Sequence, residues 1–516
     1  MHTRYWEGTM DGLLRCSSRR TEGGFVLVAA MALIAVLLAT AVAYTRWSTD
    51  ESLQSADAAA GMQAYYLGQM GIVERGFMWL RTQPAGELPN TEIVLPGRQV
   101  PDFGSYSTVT IRYLPSYQEG NFWALQRRFR ISSVGTVRIP VFHNGRNDYK
   151  DVKRMAVLYV EVRNFVDYMY LSDNELTRQG ERISFWSWDT LQGRVHSNSE
   201  IAIMQSPVFY DQVSTTACDF FRGTGYSPRF LGPPPIFRAA KVEIPELADS
   251  LREGAAGQGH FYDYPGETVR AVFSGANVTF YRWTTGTPFD STVQWDVDIA
   301  QQPPGTCIFV NGPLEIKGTV HGLVTIGSAG TLRIMDDIKY AEGLVGAVGG
   351  WYIPDDQLAN YNNVLGIVSE GDVKVANTPE NGRENSAGPG QNQTNPNRTS
   401  VVITAAIVAL GESFTFENQN DPDSGYVSTS SPDNRGTIYL FGSVTQKRRG
   451  YVHRTNNGST GYAKQYLYDR RLRTHRPPCF FSVTDEHGHA LFNVVQWGQG
   501  VEYPPAVQAG NVVRYN

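Results

Sequence analysis

Residues 318–334, GTVHGLVTIGSAGTLRI, set short apolar runs between glycine corners: Gly318-Thr319-Val320-His321, then Leu323-Val324-Thr325-Ile326, then Gly330-Thr331-Leu332-Arg333-Ile334. Each run is too short for a helix and rich in β-branched side chains, so each reads as a strand that ends in a turn. A similar phrase stands earlier, where Gly193-Arg194-Val195-His196 leads into Glu200-Ile201-Ala202-Ile203. Short strands recurring with glycine corners predict a β-solenoid, in which neighbouring rungs bury one continuous core. The period read along the sequence is irregular, so a β-sandwich with long insertions stands as the alternative architecture.

Composition agrees with a turn-rich β body. The chain has 516 residues, enough for two to four domain-sized units, and 51 Gly with 27 Pro would interrupt an all-helical protein. Aromatic residues at 12% exclude disorder as the main state, and 45 basic against 50 acidic side chains exclude the basic footprint of a nucleic-acid binder. Tyr106-Ser107-Thr108-Val109-Thr110-Ile111-Arg112-Tyr113 and Met155-Ala156-Val157-Leu158-Tyr159-Val160-Glu161-Val162 alternate polar with apolar side chains. They predict a small antiparallel β region over residues 96–170. Residues 171–516 form the solenoid-like body. Within it, residues 378–400 are crowded with Asn, Gly and Pro and read as a long polar loop. The apolar run Val401 to Leu410 is too short to span a membrane and reads as a buried strand.

Ahead of this body, residues 25–44 read FVLVAAMALIAVLLATAVAY, without a charge. A helix here would be about 30 Å long, the thickness of a bilayer core. Arg15, Arg19 and Arg20 precede the run and Asp50, Glu51 and Asp57 follow it. That asymmetry predicts a single span with a cytoplasmic N-terminus and an extracytoplasmic body. The run exceeds the apolar core of a cleaved signal, although Ala41-Val42-Ala43 offers an alternative small-x-small cut. Cys16 precedes the run instead of ending it, which argues against a lipoprotein signal. Leu53, Ala56, Ala60, Leu67, Met70, Phe77 and Leu80 recur at helical spacing and predict that the helix continues through residue 80, ended by Pro84. Gly61, Gly68, Gly71 and Gly76 weaken that reading.

The junction Arg19-Arg20-Thr21-Glu22-Gly23-Gly24-Phe25 places a basic patch, then Gly, then Phe at the edge of the apolar run. It resembles the cleavage site of type IV pilins and type II secretion pseudopilins. The resemblance implies a prepilin-like leader over residues 1–24, cut by a prepilin peptidase after Gly24, with Phe25 as the first mature residue and residues 25–80 as the pilin-like helix. Most pilins carry Glu at the fifth mature position, and here that position is Ala29. The departure resembles the K-type pseudopilin and implies a place at a filament tip. The segment Leu53 to Leu80 resembles PilX-like minor pilins. In the body, Gly193 to Asn198, Leu365 to Val368, Gly442 to Gly450 and Gly461 to Leu472 resemble a bacterial family of large pilin-like surface proteins of uncharacterised function.

Few residues point to chemistry. Cys218, Cys307 and Cys479 lie beyond the span, where a disulfide can form, but three thiols cannot all pair. In Asp485-Glu486-His487-Gly488-His489, His487 and His489 would share one face of a strand and could ligate one metal ion, against a polar turn as the plainer reading. His196 and His321 each follow a Gly-x-Val and would stack on one solenoid face. Asp421-Pro422-Asp423-Ser424-Gly425 lacks the full spacing of a calcium loop. Lys447-Arg448-Arg449 and Arg470-Arg471-Arg473 read as hydrated charges on exposed strands. No nucleophile elbow, phosphate loop or zinc-protease helix is found.

The expected protein is therefore α+β and mostly β, with a long N-terminal transmembrane helix and an extracytoplasmic body. It is expected to be a non-enzymatic minor-pilin-like or pseudopilin-like component of a type IV pilus or type II secretion-like system, with the body periplasmic or at the cell surface. No catalytic residue and no cofactor is expected. The expected partners are the inner membrane, the prepilin peptidase and other pilin-like subunits or secretion components, with no specific nucleic acid. The competing readings are a membrane-tethered solenoid enzyme acting on polysaccharide and a glycan- or calcium-binding adhesin.

Overall fold

A computed structural model describes residues 23–119, 121–143, 146–178, 180–187, 189–345, 351–382, 400–419, 433–454 and 460–500. Residues 1–22 of the expected leader, residues 383–399 of the polar loop and the acidic turn at 421–425 lie outside them. The chain is mostly β, with one long apolar helix at its N-terminal end.

That helix is continuous in path but changes pitch. It is α-helical over Gly23–Gly71, widens to a π turn over Ile72–Phe77, and finishes as α-helix over Met78–Arg81. The uncharged N-terminal part buries nothing against the rest of the chain and is long and apolar enough to cross a membrane. Tyr44 and Trp47 close that part, with ring centroids 6.0 Å apart. The C-terminal part lies on an antiparallel sheet. Its buried stripe is Ala60, Ala64, Leu67, Ile72 and Leu80, whereas Leu53 and Met70 are exposed. The π turn, with its extra residue, shifts the helical phase between Ile72 and Leu80, whereas Leu53 and Met70 lie ahead of it. Gly61, Gly68, Gly71 and Gly76 are buried too. A Cβ at Gly71 would strike the Tyr106 ring, and one at Gly76 would strike Ile131. Small residues here let the helix approach the sheet closely; they are part of the packing and not a weakness in it.

The sheet is built around one long hairpin, Arg128–His143 paired with Arg146–Val162. Val109–Leu114 and then Ile93–Leu95 extend it on one side. On the other side the added strand is Phe492–Gly500, from the far end of the chain. The sequence assigned that segment to the body, and the structure moves it to the helix-bearing sheet. Phe129, Ile131, Leu158, Val160 and Phe492 face the helix in one core with Ile72 and Leu80.

The remainder runs as three parallel ladders. Where the chain has no insertion, it returns to the same ladder after 18 residues: Thr306 lies beside Val324, Leu314 beside Leu332, and Val195 beside Val213. Insertions at corners lengthen the interval and leave the register intact, so Ser328 still pairs with Ser369 and Gly366 with Ala406. Each turn visits the ladders in the same order, as in Thr306–Val310, then Leu314 to Ile316, then Gly318 to Val320. The aliphatic side chains of successive turns, such as Ile308, Ile326, Ile367 and Ile407, form one continuous core.

The stacking order is permuted relative to the sequence. The first ladder runs Phe261–Tyr262, Thr306–Val310, Leu323–Ser328, Val364–Ser369, Val401–Ala409 and Asp433–Arg448. Next to the last of these comes Tyr170–Asn174, followed by Val195–Ser197 and Val213–Thr215. The chain thus enters mid-stack, winds to one end, returns along the side, and winds back to meet its own first turn. The return segment holds the helix Asp249–Gln258, whose Leu251 and Ala255 pack on Cys307 and Phe309. The hairpin Glu267–Gly275 with Asn277–Thr284 adds antiparallel strands at the far end.

Candidate functional site

The backbone is helical from Gly23, so the Gly24–Phe25 bond lies in the first helical turn. Ala29 is exposed one turn later, on the part of the helix that touches no other element.

Of the three cysteines beyond the span, Cys307 and Cys479 form a disulfide and Cys218 is an exposed free thiol. The disulfide has a definite mechanical place. Residues 474–491 cross from the ladders to the sheet, and Cys479 ties this strap to the strand Thr306–Val310 beneath the helix at Gly254. Thr325 Oγ1 donates to Pro478 O at 2.6 Å on the same strap.

His487 and His489 do not line one strand face. They sit in a tight turn organised by Asp485, whose Oδ1 accepts from the backbone N–H of both, each at 2.9 Å. The opposing effect of partial burial is outweighed by these N–H donors, so the Asp485 carboxyl titrates below its ordinary value. No cluster of three or more metal-ligating side chains occurs among the described residues. The turn serves as a joint: Pro84, just past the helix end, bridges to His489, and Ala85 N–H donates to Gly488 O at 3.1 Å.

His196 and His321 occupy different settings. His196 is buried in the first ladder, with Nδ1 2.8 Å from Ser214 Oγ and Nε2 3.1 Å from Asn198 Oδ1. Burial pulls its pKa down to about 4. His321 follows a strand of the third ladder, is half-buried, and pairs with Glu342 at 2.9 Å. They share a phrase in sequence and no common face in the fold.

The basic runs differ in part from their sequence reading. Arg449 and Glu175 are 4% and 2% exposed and pair at 2.7 Å. Glu175 also accepts from Ser172 Oγ, and the Arg449 guanidinium lies 3.8 Å from the Phe185 ring centroid. Lys447 pairs with Asp173, and the buried Arg471 with Asp469. Arg449 and Arg471 are buried ion-pair partners, whereas Arg470 and Arg473 are exposed, as their sequence reading has them. Several of these charges clamp the place where the last turn of the stack meets the first.

Beside that seam lies a cleft of about 520 Å³. Trp186 and His453 stack across it with ring centroids 6.5 Å apart and planes 20° from parallel. Arg182, Gln205 and Tyr451 add polar arms. Its carboxylates are engaged: Asp189 pairs with Lys464 at 2.5 Å, and Glu181 accepts from Tyr451 at 2.9 Å. Burial, reinforced by Lys464, lowers the His453 pKa and keeps the ring neutral near pH 7. Sequence reasoning missed this cleft, because its two sides lie about 270 residues apart.

Residues 143–218 match a family described as a domain of unknown function (DUF4900). The matched stretch runs from the hairpin tip through Tyr170–Asn174 to the turn that holds Val213–Thr215. No curated protein and no solved structure matches the chain.

Proposed function

We propose that this chain is a membrane-anchored, non-enzymatic subunit of the minor-pilin or pseudopilin kind, and that its body is a three-faced β-solenoid that works as a contact surface. The observation that carries the reading is the helix. One helical run from Gly23 to Arg81 leaves its apolar half unburied and seats its other half on an antiparallel sheet. A pilin-like subunit needs that division, with one half for the membrane or filament core and one half to hold the body. The Cys307–Cys479 disulfide supports placing the body outside the cytoplasm, where such bonds persist. The regular offset of 18 residues between parallel neighbours supports a solenoid over a sandwich. The N-terminus would face the cytoplasm and the prepilin peptidase, and Ala29 would suit a tip position.

Co-expression with a prepilin peptidase tests the reading. The chain is expected to shift to lower mass by its 24-residue leader, and Gly24→Arg to abolish the shift by placing a bulky cation at the scissile bond. An identical mass with and without the peptidase would sink it.

The cleft favours a second reading, glycan binding, because the Trp186 ring with neighbouring Arg182 and Gln205 is the combination of flat face and polar arms that holds a sugar ring. Oligosaccharide binding that is lost in Trp186→Ala would establish it. Hydrolysis is less favoured, since Asp189 and Glu181 are committed to partners.

A further inference from the structure

The long hairpin has a fixed height along the helix. A Cβ at Gly68 would touch both Ala156 and Ser133, and a Cβ at Gly135 would overlap the Ala64 carbonyl oxygen. Ala156 pairs with Ser133, and Arg154 with Gly135. Two strand residues, about 7 Å, thus match four helix residues, about 6 Å. The strands therefore run nearly along the helix axis, toward its N-terminal end. A third contact agrees. Lys150 lies four strand residues beyond Arg154, about 13 Å or nine helix residues, and it pairs with Asp57 at 2.5 Å.

The hairpin does not stop there. Its last pair is His143 with Arg146, eight strand residues beyond Arg154. That distance, about 26 Å or 18 helix residues, brings the pair level with residues 45–47. Here the uncharged run has just ended, and Tyr44 and Trp47 stand as they would at a membrane interface.

We infer that the distal end of this hairpin rests in the lipid headgroup layer of the membrane that the helix spans. The inference depends on the transmembrane reading of the helix. The headgroup layers add about 5–8 Å on each side of the hydrocarbon core, and the hairpin reaches that depth. With helix and hairpin both touching the bilayer, the body would be held at a set orientation before assembly.

Depth-dependent quenching tests this on the full chain in vesicles of mixed zwitterionic and anionic phospholipid. In a Cys16→Ser, Cys218→Ser background with the disulfide left oxidised, Trp47→Cys, His143→Cys or Arg81→Cys would carry an environment-sensitive fluorophore. Headgroup-attached quenchers are expected to at least halve the signal at positions 47 and 143 and to leave 81 unchanged. Quenching at 47 with position 143 behaving like 81 would overturn the inference and keep the membrane span. No quenching at 47 would overturn the span, and the inference with it.

Discussion

His196 carries a pH cost that follows from its surroundings. The ring is 2% exposed and is satisfied as a neutral group, with Nε2–H donating to Asn198 while Nδ1 accepts from Ser214. Its pKa falls from an ordinary value of 6.5 to about 4 in the folded chain. Between these values the unfolded chain binds the extra proton, so stability is complete above pH 6.5 and declines as the pH drops toward 4. The loss at this one residue reaches about 3 kcal/mol. Thermal unfolding followed from pH 7.5 to 4.5 should show it, and His196→Gln should flatten the profile; an unchanged profile would remove His196 as the source. The sequence displays this histidine but not its burial. A Gly-x-Val-His phrase recurs at His321, and only the stacking tells the buried ring from the half-buried one. His487 and His489 mislead in the opposite way. Their alternation resembles a strand, yet Asp485 folds the local chain into a turn.

The elements were legible where periodicity speaks. Alternation located the hairpin strands, and the uncharged run located the helix. What periodicity concealed was the purpose of the glycines, since a gap in side-chain volume looks like weakness until the opposing surface is known. Gly135→Ala should show what they do. The added methyl would overlap the Ala64 carbonyl, and overpacking of this kind costs about 1–3 kcal/mol. Chemical denaturation of the fragment that follows the apolar run would read the loss, whereas Gly86→Ala, where a Cβ meets nothing within 4 Å, should leave stability nearly unchanged. The disulfide offers a second check. Cys307 and Cys479 are 172 residues apart, and their pairing depends on a strap whose course no local pattern announces. Replacing both by Ser should destabilise the body by about 3–5 kcal/mol, measured against the oxidised parent. At the seam, Glu175→Gln would leave Arg449 buried without its counter-charge, a loss of about 3–5 kcal/mol. Little change on denaturation would show that the two halves of the stack do not depend on that pair.

At the scale of the molecule, the ladders close through a pairing of residue 170 with residue 444, and nothing in either segment signals it. Local strand signals could show that rungs exist, but the order of stacking is a long-range fact. The permutation places both the start and the finish of the body near the helix-bearing sheet, so one strap and one hairpin hold body and helix together. Stoichiometry belongs to this scale. On the proposed pilin-like reading, a shaft subunit would have to neutralise the terminal amine of its neighbour, and Ala29 cannot do so, leaving unpaired charge in a low-dielectric core. If the leader is removed as proposed, the remaining 492 residues would also crowd a closely packed shaft. One or a few copies per assembly are expected, and quantitative labelling along isolated filaments would count them; regular labelling of the whole shaft would refute the tip position.

The central claim is that the apolar helix is kept as a membrane segment after processing at its cytoplasmic border. Terminal sequencing of the chain recovered from membranes addresses it most directly. The account predicts a chain that begins at Phe25 and remains with the membrane fraction until it is assembled. A chain that begins after Ala43 and is found in the soluble fraction would contradict it.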